Sequence, residues 1–179
     1  MSKTIVGAVI GYGGMGNFHA GKMQSVRGIK LAGVYDIDPA QNELARSRGI
    51  KAYASREELL ADPKIDLVTI ATPNDVHKEI AIAALKAGKN VICEKPVAMD
   101  SAELNEMIAA SEKYGKLFTV HQNRRCEQNG KTGNHTLRRQ FGGCCFFTHN
   151  SSIPEKFCRK MFQRHDARRS PGVIDNNQL

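Results

Sequence analysis

Over the first 125 residues, short apolar runs rich in β-branched side chains alternate one for one with helical stretches, and few folds accommodate that order. The runs are TIVGAVIG, KLAGVYD, the brief KAYA, DLVTIAT, NVICEKP and KLFTVHQ. The stronger ones are apolar throughout, as expected of strands buried on both faces. The segments between them carry helix signals of their own. One helix should run over about residues 15–25, after a glycine-rich turn. PAQNELARSRG opens on Pro39 and stops at Gly49, and SREELLA begins with a capping box of Ser55 and Glu58. DVHKEIAIAALKAGK stops at Gly88, and Asp100 with Glu103 caps SAELNEMIAASEKYG. Strands joined by single helices pair in parallel, because the helix returns the chain across the sheet. The expected fold is α/β: a six-stranded, doubly wound parallel sheet with helices on both faces.

The turn after the first strand reads GYGGMG, which sets Gly11, Gly13 and Gly16 in the spacing G-x-G-x-x-G. The expression alone is weak, but strand before and helix after are its proper setting. Gly11 permits the tight turn, Gly13 lets backbone approach a pyrophosphate, and Gly16 lets helix and strand pack closely. Gly13, Gly14 and Met15 open the helix, whose free N–H groups and dipole favour phosphate. The pattern asks for an acid about 20 residues further on. Asp36 meets it at the end of the second run. A carboxylate there accepts from the adenosine-ribose hydroxyls and repels a 2′-phosphate, so NAD is favoured over NADP. Asp38 is a second acid, better placed to cap the helix at Pro39.

Glu94, Lys95 and Pro96 lie just past the fifth run, at the carboxyl edge where doubly wound sheets bind ligands. A lysine there can hydrogen-bond a substrate hydroxyl and move its proton while hydride passes to nicotinamide. Residue type alone makes Lys95 a surface lysine equally well. The segments GYGGMGNFHA, VYDIDP, ATPNDVHKEIAIAALKAGKNVICEKPVAMD and LFTVHQNRR together resemble the N-terminal half of the Gfo/Idh/MocA oxidoreductases, the glucose–fructose oxidoreductase and inositol dehydrogenase family, over about residues 3–125. The resemblance implies a Rossmann NAD(P)-binding domain and hydride transfer between nicotinamide and a sugar, cyclitol or related hydroxyl compound. It makes Lys95 the catalytic lysine and has Glu94 bond the nicotinamide ribose. Thr72, Pro73 and Asn74 would line the cofactor. His77 would contact the same region, or simply begin a helix. Asn123 and Arg125 would face nicotinamide or substrate, although two adjacent arginines also suit a solvated strand end. His19 reads as packing or surface.

Order stops after Arg125, so the expected division is a domain over 1–125 and an irregular tail over 126–179. Leu, Ile, Val and Met number 33 in the first part and six in the second, too few to offset chain entropy. The tail also holds +5 of the +8 net charge and four of the five cysteines. A zinc module of Cys126, Cys144, Cys145, His149 and Cys158 lacks any C-x-x-C pair. A basic nucleic-acid-binding tail lacks a recognisable module. A lost reading frame near Arg125 explains the abrupt change best. Relative to the resembling family, the substrate domain is missing, and the chain alone should be inactive. The rival function is a non-catalytic dinucleotide-binding or sensing protein. No metal, nucleic-acid or membrane partner is expected. With no export signal, the expected address is the cytoplasm.

Overall fold

A computed structural model gives residues 4–121 and the backbone of 146–147. Its elements are β1 (Ile5–Ile10), α1 (Gly14–Ser25), β2 (Ile29–Tyr35), α2 (Pro39–Ser47), α3 (Arg56–Ala61), β3 (Leu67–Ile70), a 3-10 turn (Asn74–Val76), α4 (His77–Lys86), β4 (Asn90–Cys93), α5 (Ser101–Tyr114), β5 (Phe118–Val120) and β6 (Phe146–Phe147). The sheet order is β2-β1-β3-β4-β5-β6. The first five strands are parallel, and β6 pairs antiparallel with β5 through Phe118↔Phe147 and Thr119↔Phe146. The chain leaves β1 for β2 on one side and later returns to place β3 on the other. The strand order therefore reverses at the carboxyl end of β1, the point where such sheets bind ligands.

Strand side chains alternate between faces, and the sheet uses both. Ala8, Ile10, Val68, Ile70, Val91, Cys93 and Phe118 form one core with Leu59, Leu60, Ile80, Leu85 and Met107. Val9, Leu67 and Ile92, on the opposite face, join Ala20, Met23 and Ala45 in a second. Helices α3, α4 and α5 thus cover one face and α1 with α2 the other, which is the doubly wound arrangement.

The helix starts follow their sequence signals. Ser55 Oγ accepts from Glu58 N–H at 3.0 Å, while Glu58 Oε2 accepts from Ala54 N–H at 2.7 Å. Asp100 and Glu103 make the corresponding pair at 2.8 and 3.0 Å. Asp38 caps α2 by accepting from Ala40 N–H at 2.9 Å.

One expected strand is not formed. KAYA contributes only a single parallel bridge, Val34↔Ala52, so among the described residues the parallel strands number five, not six. The segment is short, and Ser55 turns it into α3 two residues after Tyr53 N–H bonds the Val34 carbonyl. Two residues of the tail, Phe146 and Phe147, extend the sheet as β6. The remaining tail positions, and with them the cysteine and frame readings, lie outside the described residues, as do Asn123 and Arg125. Among the described residues no helix is long and apolar enough to cross a membrane.

Candidate active site

The three spaced glycines of the turn stand in different surroundings. Gly11 has φ +87°, and a Cβ there would stand 2.6 Å from the Ala71 carbonyl oxygen. A Cβ at Gly16 would fall 1.7 Å from the Gly11 carbonyl oxygen, so β1 and α1 can meet only over glycine. Gly13 differs, because a Cβ there would meet nothing within 4 Å. Among the described residues its bareness accommodates no neighbour, and it leaves a cradle beside the N–H groups that open the 12-residue α1. Gly14 and Met15 form the first turn of that helix, both exposed.

Asp36 stands one residue past β2, and backbone donors fix its carboxylate. Tyr12 N–H bonds Oδ2 at 2.5 Å, and Asp38 N–H bonds Oδ1 at 2.9 Å. The acid is thereby tied to the middle of the glycine turn. Beside it opens a cavity of about 350 Å³ lined by Tyr35, Asp36, Ile37, Asn42, Arg46 and Tyr53, among others. Its apolar wall and acid suit an adenosine, and Arg46 adds a cation within the same space.

At the ends of β3 and β4, Thr72, Pro73, Asn74, Glu94 and Lys95 come together on one edge. The Thr72 hydroxyl is buried without a hydrogen-bond partner among the described residues. Asn74 Nδ2 donates to Met99 Sδ at 3.0 Å. Lys95 is exposed, and the Lys95–Pro96 peptide is cis. His77 is 1 % exposed, with Nδ1 2.9 Å from the Pro96 carbonyl oxygen and Nε2 2.9 Å from that of Thr72. It joins the turn after β3 to the turn after β4, so its link to the proposed cofactor surface runs through those two turns.

Glu94 and His19 meet in the interior beside this edge. Glu94 is 5 % exposed, and its Oε1 lies 2.6 Å from His19 Nε2 and 2.7 Å from His121 Nδ1. Burial pushes the Glu94 carboxyl up, but hydrogen bonds from His121 and His19 outweigh it and hold the group well below the usual carboxylate range. His19, read as packing or surface, is buried and hydrogen-bonded to Glu94. The three side chains offer ligand atoms within 4.8 Å of one another, a set a divalent ion could use. Ligand atoms on one tetrahedral ion stand roughly 3.3 Å apart. The 2.6 and 2.7 Å contacts are instead hydrogen-bond lengths. Cys93, one residue earlier, is pushed up to about 12 by burial and by the Glu94 charge.

A parallel sheet whose strand order reverses beside a bare glycine cradle, with an acid at the end of the neighbouring strand, defines a dinucleotide-binding domain of the Rossmann type. Comparison with known proteins narrows the class. Residues 5–122 match the family model described as oxidoreductase family, NAD-binding Rossmann fold, and the chain belongs to this Gfo/Idh/MocA family. It is 33 % identical over 125 residues to myo-inositol 2-dehydrogenase of Thermotoga maritima, covering 69 % of this chain and 37 % of that protein. A solved NAD-binding protein from Listeria innocua matches at 47 % identity and TM-score 0.67, covering 69 % of this chain and 36 % of that one. An oxidoreductase from Agrobacterium radiobacter, solved with NAD+, L-tartaric acid and magnesium, matches at 28 % identity and TM-score 0.66, covering 69 % and 37 %. The chain spans between about a quarter and two fifths of the length of the curated relatives it matches. The family consists of NAD(P)-dependent oxidoreductases, which bind a nucleotide cofactor and small-molecule substrates.

Proposed function

We propose that this chain is the cofactor-binding part of a dehydrogenase acting on a sugar, cyclitol or similar polyol, with NAD preferred over NADP. The observation that supports the cofactor reading is the contrast between Gly16, where a Cβ would strike the Gly11 carbonyl, and Gly13, which leaves open space at the N-terminus of α1 beside the fixed Asp36 carboxylate. The fixed Asp36 carboxylate and its cavity support NAD, through acceptance of ribose hydroxyls. A 2′-phosphate there would meet a carboxylate, although Arg46 in the same cavity would soften that repulsion. The inositol-dehydrogenase relative supports a polyol. A cytoplasmic address, with Cys93 as a buried free thiol, goes with this reading.

When bound, nicotinamide supplies the hydride acceptor or donor. The chain's own residues have three tasks. The N-terminus of α1 holds the pyrophosphate. Thr72, Pro73 and Asn74, at the end of β3, line the half of the cofactor that lies beyond the switch point. Lys95 takes the hydroxyl proton when a carbinol carbon is oxidised, and returns it in the reverse direction. Asn123 and Arg125 complete this edge in the proposal.

Calorimetry with NAD and NADP on the 179-residue chain tests the cofactor reading; tighter binding of NAD is expected. NADH formation with inositols, glucose and other polyols tests turnover. Lys95 is exposed, and among the described residues no opposing wall holds a substrate carbon in place, so turnover should stay at background. Failure to bind either dinucleotide would overturn the proposal. Polyol-dependent NADH formation would show that the chain is a complete enzyme.

A further inference from the structure

Burying a carboxylate costs several kcal/mol, and apolar side chains would fill the same space as well. Glu94 nevertheless keeps only 7 % of its side-chain surface, and two histidines converge on it from separate elements. His19 comes from α1, the helix whose N-terminus faces the glycine cradle, and His121 from the residue after β5. Their ring centroids lie 4.6 Å apart in an edge-to-face contact, and both approach the same oxygen, Oε1. For both to donate, His19 carries its proton on Nε2 and His121 on Nδ1. The other oxygen, Oε2, has one partner among the described residues, the Lys95 N–H at 3.2 Å. It retains acceptor capacity at the carboxyl end of β4.

A dinucleotide with its adenosine ribose at Asp36 and its pyrophosphate over Gly13 extends across the switch point, so its second ribose lies over the ends of β3 and β4. Resting on the reading of this chain as an NAD binder, we infer that His19 and His121 are positioning residues that lock Glu94 by one oxygen so that the other accepts a hydroxyl of the nicotinamide-side ribose. The arrangement also keeps the acceptor charged. An ionised oxygen accepts about twice as strongly as a neutral one. Without the two imidazole donors the burial penalty would dominate and the carboxyl would take up a proton at higher pH.

ADP carries the adenosine ribose and pyrophosphate but no second ribose, whereas ADP-ribose and NAD carry both. The test is calorimetric titration of all three into the 179-residue chain between about pH 5 and about pH 8. His19→Leu should weaken NAD and ADP-ribose about tenfold or more, the worth of a hydrogen bond to a charged group, while ADP stays within about twofold. The loss should deepen as pH falls, which a packing defect would not produce. His19→Gln places an amide N–H where Nε2–H was and should restore the parent ratio. His121→Leu should repeat the loss, and His121→Asn, whose amide mimics Nδ1–H, should restore it. Failure of the parent to bind ADP would overturn the NAD reading itself. If ADP binds and the NAD-to-ADP ratio is unchanged in both leucine variants, only the inference falls. If neither leucine variant folds, the pair serves packing and the inference falls as well.

Discussion

Valine at Gly13 and valine at Gly16 should separate ligand binding from folding. At Gly16 the added Cβ would lie 1.7 Å from a backbone carbonyl oxygen, a contact that no side-chain rotation relieves. Helix α1 must then move off β1, at a cost above about 3 kcal/mol. That is a large part of the roughly 5–15 kcal/mol that holds a domain together. At Gly13 the backbone is extended, with φ −66° and ψ −160°, and nothing lies within 4 Å of the new Cβ. Restricting the unfolded chain contributes about 0.4–1 kcal/mol, and replacing the glycine N-cap by valine offsets up to about 1 kcal/mol. Gly13→Val should therefore melt within about 5 °C of the parent. Its three side-chain carbons nevertheless fill the cradle, and NAD affinity should fall at least about a hundredfold, or about 2.7 kcal/mol. Differential scanning calorimetry and NAD titration on both variants check this. A Gly13→Val chain that binds NAD like the parent, or that melts as low as Gly16→Val, would falsify the assignment of the cradle.

Asp36→Ser should lower NAD affinity about tenfold and move the NAD-to-NADP affinity ratio toward NADP, with Arg46, paired with Glu43 in this structure, lining the same cavity; an unchanged ratio by calorimetry would move the discrimination elsewhere. Glu94 titrates below its unfolded value, so its contribution to stability is present above the ordinary glutamate range and is lost as pH falls through and below it. Glu94→Gln should flatten that acid limb in urea melts between about pH 5 and about pH 3, and an identical limb in both chains would count against the histidine hydrogen bonds. Cys93, pushed up to about 12, should resist a thiol reagent at about pH 8 in the folded chain and react at once in denaturant, and rapid labelling of the native chain at Cys93 itself, located by peptide mass spectrometry, would contradict its burial.

Features whose cause is local could be read from the sequence. The glycine spacing, Asp36 as the acid, the capping pairs of Ser55 with Glu58 and Asp100 with Glu103, and Asp38 as the cap of α2 each involve neighbours along the chain or one fixed offset. The role of His19 could not be read in that way. Its partner Glu94 is 75 residues away, and nothing in the helix pattern distinguishes a histidine aimed at a carboxylate from one that merely packs. The only available hint was its place one turn past Gly16, on a helix that the glycine turn already aims at the ligand edge. His77 was legible as a residue of this region. That both its nitrogens face carbonyl oxygens depends on two loops meeting in space. KAYA was overread because Ala and Tyr in a short apolar run look the same whether they form a full ladder or one bridge.

That bridge has a consequence for how the molecule behaves in a crowd. Strand β2 is the outermost of the parallel set, and an uncovered outer strand invites another chain to add itself. Here Val34 N–H donates to the Lys51 carbonyl at 2.8 Å and the Val34 carbonyl accepts from Tyr53 N–H at 2.9 Å, so near the carboxyl end of the strand both backbone groups of Val34 are taken. Gly33 makes the cover possible, since a Cβ there would press to 2.5 Å from the Lys51 carbonyl oxygen. One glycine and one bridge thus occupy the Val34 stretch of that edge, and a side chain at Gly33 would push the Lys51 segment off it.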